Sequence, residues 1–171
     1  MLKKNNIISI LFCFIFLFSG SVSAADSYRV VKISDGDTFT ATDGWIRFKV
    51  RIAAIDTPEY KQPYGKVAKY HLSQLIKGKK VRLSLLKRGL DRYNRILAHV
   101  YVGETNVGMT MIEKGLAHYY RPDCKDYPYN KAKYDYEPAL YVAAEKVAKK
   151  NRHNIWSLSS PEKPCKYRRK K

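Results

Sequence analysis

Asp43-Gly44, set between two stretches of alternating residues, is the strongest constraint on what this chain can fold into. An Asp-Gly pair suits a two-residue hairpin turn whose twist matches the strands on either side. Upstream, Val31 and Ile33 alternate with polar neighbours, Asp35-Gly36-Asp37 reads as a tight turn, and Thr38 to Thr42 resumes an extended, β-branched stretch. Downstream, Trp45 to Ile55 is the returning strand, with Ile46, Phe48, Val50 and Ile52 on one face and Arg47, Lys49 and Arg51 on the other. Thr57-Pro58 ends it, because proline has no N–H for the ladder. Lys79 to Lys87 alternates again, with Val81, Leu83 and Leu85 inward. Arg88 to Asn94 is a charged turn, and Arg95 to Val102 a further strand.

Helical spacing interrupts and then follows these strands. Ala68, Leu72, Leu75 and Ile76 fall on one helix face, stopped at Gly78. Val107 to Lys114 predicts a short helix ending at Gly115. Tyr119 to Tyr136 has no period and reads as loop. Pro138 opens a third helix with Leu140, Ala144, Val147 and Ala148 on one face. There is no internal repeat. About five strands and three helices define an α+β domain, and the natural candidate is a five-stranded OB-fold β-barrel packed with three α-helices. Other α+β arrangements share the same periodicity. The domain is expected over residues 25–157, with residues 158–171 a basic C-terminal tail that has no core face.

Residues 1–24 have the anatomy of a signal peptide. Lys3 and Lys4 precede an apolar run from Ile7 to Phe18, and Ser21-Val22-Ser23-Ala24 supplies small residues before a cleavage near Ala24. A retained membrane anchor is the rival reading, but the run falls short of the roughly 20 residues a span requires. A secreted or periplasmic protein with no stable membrane span after cleavage is expected. Loss of Lys3 and Lys4, with no acid, lowers the net charge from +18 to +16. Such a surplus suits a polyanionic partner, and a generally basic exported protein is the plainer reading. The mature chain keeps Cys124 and Cys165. In an oxidising compartment they form a possible disulfide, closing a loop of about 40 residues. A zinc site completed by His118 and His153 is the alternative, although no short Cys-x-x-Cys spacing is present.

Three segments gather charge where strands end: Asp35 to Thr38, Arg51 to Glu59, and Asp91 to Arg95. Each alone is an ordinary turn or solvated loop. Together they hold what phosphodiester hydrolysis requires: a cation to clamp the phosphate, fixed positive donors for the added charge, and a base for the attacking water. Asp37 and Asp56, with the main-chain oxygen of Thr57 and water, make an all-oxygen set suited to Ca²⁺. Arg51 and Arg95 carry planar forks that can donate two parallel hydrogen bonds to a phosphate. Glu59 lies three residues beyond Asp56 and can address a water in the same site.

The order Asp-Gly-Asp-Thr, Arg-x-x-x-x-Asp-Thr-Pro-Glu, Asp-Arg-Tyr-x-Arg and Asn-Ile-Trp-Ser, running from about Val30 to Ser157, resembles the staphylococcal nuclease (thermonuclease) family. The resemblance implies a calcium-dependent, sugar-nonspecific endonuclease that cuts DNA and RNA at the P–O5′ bond and leaves 3′-phosphate ends. It implies Asp37, Asp56 and Thr57 as calcium ligands, with Asp35 nearby, Glu59 as general base or water-orienting residue, and Arg51 and Arg95 as phosphate clamps. Arg92, Tyr93 and Tyr120 match substrate-binding positions, where aromatic stacking tolerates any base. Trp156 matches a structural position. Asn94 stands where the family's type protein has glycine, and the cysteine pair and basic tail are additions. A monomer is expected. The competing functions are a noncatalytic OB-fold module that binds nucleic acid and a basic protein directed at an anionic surface; the second explains the charge but not the clustered acids.

Overall fold

The computed structural model of the chain describes residues 27–120 and 138–170. The signal-peptide reading and Cys124 lie outside them. In chain order the strands are β1 (Ser27–Ile33), β2 (Thr38–Thr42), β3 (Arg47–Ile52), β4 (Ile55–Asp56), β5 (Lys80–Leu90), β6 (Ile96–Val102), β7 (Thr105–Asn106) and β8 (His118–Tyr119). The helices are α1 (Gly65–Ile76), α2 (Val107–Glu113), α3 (Pro138–Lys150) and α4 (Pro164–Arg168), with a 3₁₀ turn at Asn154–Ser157. No helix among the described residues is long and apolar enough to cross a membrane.

Strands β3, β2, β1, β5 and β6 lie side by side in that order, each antiparallel to the next, and β3 then pairs with β6 in parallel. That last pairing closes the five-stranded barrel the alternation predicts. Val30, Phe39, Ala41, Val50, Ile52, Val81, Ala98 and Val100 fill it. Leu72 and Ile76 of α1, and Met111 and Ile112 of α2, join the same core. Each large apolar side chain so buried contributes about 1.5–3 kcal/mol. The barrel is therefore a stiff frame, and the charged turns are held at its rim.

Four details differ from the sequence reading. The hairpin ladder ends at Thr42 opposite Arg47, which leaves a four-residue loop instead of two. Asp43 Oδ1 accepts from the N–H groups of both Trp45 and Ile46, at 2.8 and 2.9 Å, and so keeps them off the ladder. Ile46 is consequently exposed. Strand β5 runs on to Leu90 with a register shift after Leu85, and Leu85 faces solvent. Helix α3 is turned so that Tyr141, Glu145 and Ala148 are buried while Leu140 and Val147 are exposed. Polar bonds set that face: Tyr141 Oη lies 2.9 Å from His99 Nδ1 and accepts from Asn106 Nδ2, and Glu145 Oε1 accepts the Tyr119 amide at 3.0 Å.

The fourth difference corrects both the helix count and the tail. The segment read as a tail without a core face contains α4, a fourth α-helix. Pro164, at the start of α4, is buried. Proline's fixed φ suits a first helical turn, and a five-residue helix is too short to show a period.

Candidate active site

The turn between β1 and β2 carries Asp35 and Asp37. Ser34 N–H donates to the Thr38 carbonyl at 2.9 Å, and Asp37 N–H donates to Asp35 Oδ1 at 3.0 Å, which folds the two carboxylates to one side. Gly36 is there for close approach: a Cβ would stand 2.7 Å from Thr57 Oγ1 and 2.9 Å from Ala68 Cβ. The Asp37 carbonyl accepts from Ile52 N–H at 2.8 Å, tying this turn to β3. On β3, Arg51 alternates outward between buried Val50 and Ile52 and is the cross-strand partner of Thr38. Ala54 takes a left-handed φ of 66° and turns the chain into β4, which delivers Asp56 and Thr57 to the same rim.

These residues converge. Arg51 Nη1 pairs with Asp37 Oδ2, and Arg51 Nη2 donates to Asp56 Oδ1 at 3.1 Å and to the Ile55 carbonyl at 3.2 Å. Thr57 N–H and Oγ1 both donate to Asp37 Oδ2 at 3.0 Å, and Thr38 Oγ1 donates to Asp37 Oδ1 at 3.0 Å. Burial pushes the Asp37 carboxyl up, but Arg51 and the Thr57 amide outweigh it and hold the group below the usual carboxylate range. Asp35 goes the other way: burial and then the charge of Asp37 outweigh the Asp37 amide and Arg51 and raise it to about 7. Burial also raises Asp56, against the opposing pull of Arg51.

That crowding of acids bears on a cation. Among the described residues no three His, Cys, Asp or Glu side chains stand as a ready cage. A hard divalent ion here would draw on the Asp37 and Asp56 carboxylates, the Thr57 carbonyl and water, an all-oxygen set that fits Ca²⁺ chemistry. Asp37 and Asp56 are both buried at this rim, and a bound cation would offset the cost of keeping their carboxylates ionised there. The fold also brings His118 opposite Asp56 across the β4–β8 pairing, although the two are distant in sequence. Its ring packs edge-on against Trp156 at 4.7 Å, and Trp156 in turn carries Lys149 Nζ over its face at 4.5 Å. His153, the other candidate zinc ligand, has Nδ1 3.0 Å from the Glu113 carbonyl oxygen.

Arg95 belongs to the same rim through one intermediary. Its Nη1 donates to Thr38 Oγ1 at 3.2 Å, and Thr38 bonds Asp37. Its Nε donates to Asp91 Oδ2 at 2.7 Å, which fixes the fork. The Asp91 to Arg95 turn puts the ring of Tyr93 beneath both Arg92 and Arg95, at 4.9 and 5.3 Å. Asn94 takes φ 56°, a conformation asparagine tolerates better than most residues. Tyr120 is half-exposed, and its N–H donates to the Ala54 carbonyl at 2.8 Å.

Two residues of the site escape a reading of the sequence. Gln62 is buried beside Glu59: its Oε1 accepts the Glu59 N–H at 2.9 Å, and its Nε2 donates to the Glu162 carbonyl at 3.1 Å. Arg168 of α4 reaches Asp56 and Glu59 from the far end of the chain. Neither sits in a motif, and the bonds that dock the C-terminal segment, Gln62 to Glu162 and Arg168 to Asp56 and Glu59, join residues 100 or more apart in sequence.

A family model described as staphylococcal nuclease homologue matches residues 49–158. A protein of Haemophilus influenzae named an uncharacterized endonuclease is 34% identical over 170 residues, covering 99% of this chain and 88% of its own. A namesake from Escherichia coli is 33% identical over 159 residues, 92% of this chain and 95% of that one. The thermonuclease of Staphylococcus hyicus is 33% identical over 139 residues, 77% and 76% of the two chains. With the closed barrel and the clustered acids and arginines at its rim, these matches place the chain in the staphylococcal nuclease family.

Proposed function

We propose that this protein is an exported, calcium-dependent endonuclease that hydrolyses the P–O5′ bond of DNA and RNA and leaves 3′-phosphate ends. The observation that carries the reading is Arg51 held between Asp37 and Asp56, with Glu59 three residues further on, in a chain of a nuclease family. Calcium, when bound, draws a phosphate oxygen and offsets its charge.

The chain's own residues do the rest. Arg51 and Arg95 donate to the phosphate oxygens, and the planar fork matches their geometry as charge grows on the five-coordinate phosphorus. Asp37 and Asp91 hold those forks in place beforehand. Glu59 takes the proton of the attacking water or orients it. Tyr93, Tyr120 and Arg92 receive the flanking nucleotide by stacking and charge, without reading its base. Beside Glu59, a cavity of about 570 Å³ is lined by Tyr60, Lys61, Gln62, Pro63, Tyr64, Lys66 and Val67. Lys66 and Lys69 hold their ammonium groups over the Tyr60 ring, and this basic, aromatic surface suits a polyanionic strand.

Purified protein incubated with plasmid DNA and with RNA tests the reading. Both are digested with calcium and both survive with chelator. Digestion that persists in chelator sinks the calcium assignment. Salt-sensitive binding without digestion favours a noncatalytic OB-fold module instead. Export and a Cys124–Cys165 bridge are proposed together, from the leader and the two remaining cysteines, with a monomer as the working unit. Intact mass of the exported protein checks the first two: the chain begins at Ala25 and gains two hydrogens on reduction. A retained leader, or an unchanged mass, overturns the corresponding half; elution at twice the monomer mass overturns the third.

A further inference from the structure

Arg168 makes more of the site than a stray tail cation would. Its Nη1 donates to Glu59 Oε1 at 2.7 Å and to Asp56 Oδ1 at 3.2 Å, and its Nη2 donates to Asp56 Oδ2 at 3.1 Å and Oδ1 at 3.3 Å. One guanidinium therefore bridges two carboxylates three residues apart.

Contacts that do not involve Arg168 hold α4 in place. The Glu162 carbonyl accepts from buried Gln62, Pro164 is buried, and Lys170 pairs with Glu162. Gln62 also accepts the amide of Glu59, so one side chain sets both the Glu59 backbone and the segment leading to Arg168. Asp56 and Glu59 repel each other when ionised, and the shared guanidinium offsets that repulsion. It uses Glu59 Oε1 and leaves Oε2 for a water. It also occupies both oxygens of Asp56, alongside Arg51, and so competes with any divalent cation on that carboxylate. Arg168 lies beyond the segment that the family model matches.

We propose that Arg168 is a positioning residue of the nuclease site, which fixes Glu59 beside Asp56 and at the same time lowers the affinity of Asp56 for its cation. This rests on the roles proposed above for Glu59 and Asp56. The two effects are opposite in sign, so one variant displays both. In the full mature protein, Arg168→Gln lowers kcat on a DNA oligonucleotide about 10–100-fold with KM little changed, the scale expected when a catalytic group is misplaced by about 1 Å. By calorimetry the same variant binds calcium several-fold more tightly. Arg168→Lys keeps the charge, so calcium affinity stays near wild type, while kcat remains low because a single ammonium cannot bridge both carboxylates as the fork does.

Wild-type kcat in Arg168→Gln overturns the proposal. So does a loss expressed as a raised KM with unchanged calcium affinity, which would make Arg168 a phosphate contact. Glu59→Gln, run in parallel, separates the two levels. If it is inactive while Arg168→Gln is wild type, the positioning role alone falls; if it is fully active, the reading of Glu59 falls and the positioning role with it.

Discussion

Replacing Arg51 with lysine lowers kcat by about 10²–10³-fold, the usual loss when one preorganised donor to a transition-state oxygen is removed. The protein stays folded. Lysine keeps the positive charge between Asp37 and Asp56, so neither carboxylate is left buried beside no cation. What goes is the fork. Arg51 spends one nitrogen on Asp37 and another on Asp56 and the Ile55 carbonyl, and that two-point hold fixes its plane. An ammonium at the end of a flexible stem has neither the plane nor the reach. Circular dichroism with steady-state kinetics checks the pair of claims. An unchanged kcat removes Arg51 from the chemistry, and an unfolded variant assigns it to structure.

Gly65→Ala costs both stability and rate, although helix propensity alone favours alanine by roughly 0.8–1 kcal/mol at a helical position. Gly65 begins α1, and a Cβ there would stand 1.9 Å from the Glu59 carbonyl oxygen and 2.7 Å from its carbon. Both are backbone atoms and cannot turn aside as a side chain could. The loop from Glu59 to Tyr64 must shift, and with it the Glu59–Gln62 exchange of hydrogen bonds. Overpacking of this kind costs about 1–3 kcal/mol, occasionally more. Moving Glu59 by about 1 Å lowers kcat by around 10²-fold. A urea melt and a rate measurement decide the matter, and wild-type values in both would show that the loop has room the structure does not give it.

The barrel was legible because its strands bury one face against a common core. Val50 and Ile52 inward and Arg51 outward follow from a period of two, and Arg51 reaches the rim for the same reason. The charged site residues were legible as a set: Arg51, Asp56 and Glu59 sit within nine residues, and β2–β3 pairing brings Asp37, just before β2, beside them. Helix α3 misled because apolar spacing counts carbon and not hydrogen bonds. Leu140 and Val147 look like core residues, but Tyr141 and Glu145 are inside, held by His99, Asn106 and the Tyr119 amide. The hairpin loop was misjudged for a related reason: the Asp43 carboxylate takes two amides that a two-residue turn would have given to the ladder. Arg168 was hidden most completely. It lies in a basic run whose plain reading is a solvated tail, and only packing of Pro164 and the Gln62–Glu162 bond shows where that run docks.

The proposed chemistry fixes where the phosphodiester bond breaks and which residue is needed to break it. A DNA oligonucleotide with one internal phosphate, cleaved with calcium in ¹⁸O-labelled water and read by mass spectrometry, tests this most directly. The predicted products are a 3′-phosphate that carries the label and an unlabelled 5′-hydroxyl, formed by wild type and suppressed in Arg51→Lys. Label on a 5′-phosphate, or cleavage that Arg51→Lys leaves unaltered, would contradict it.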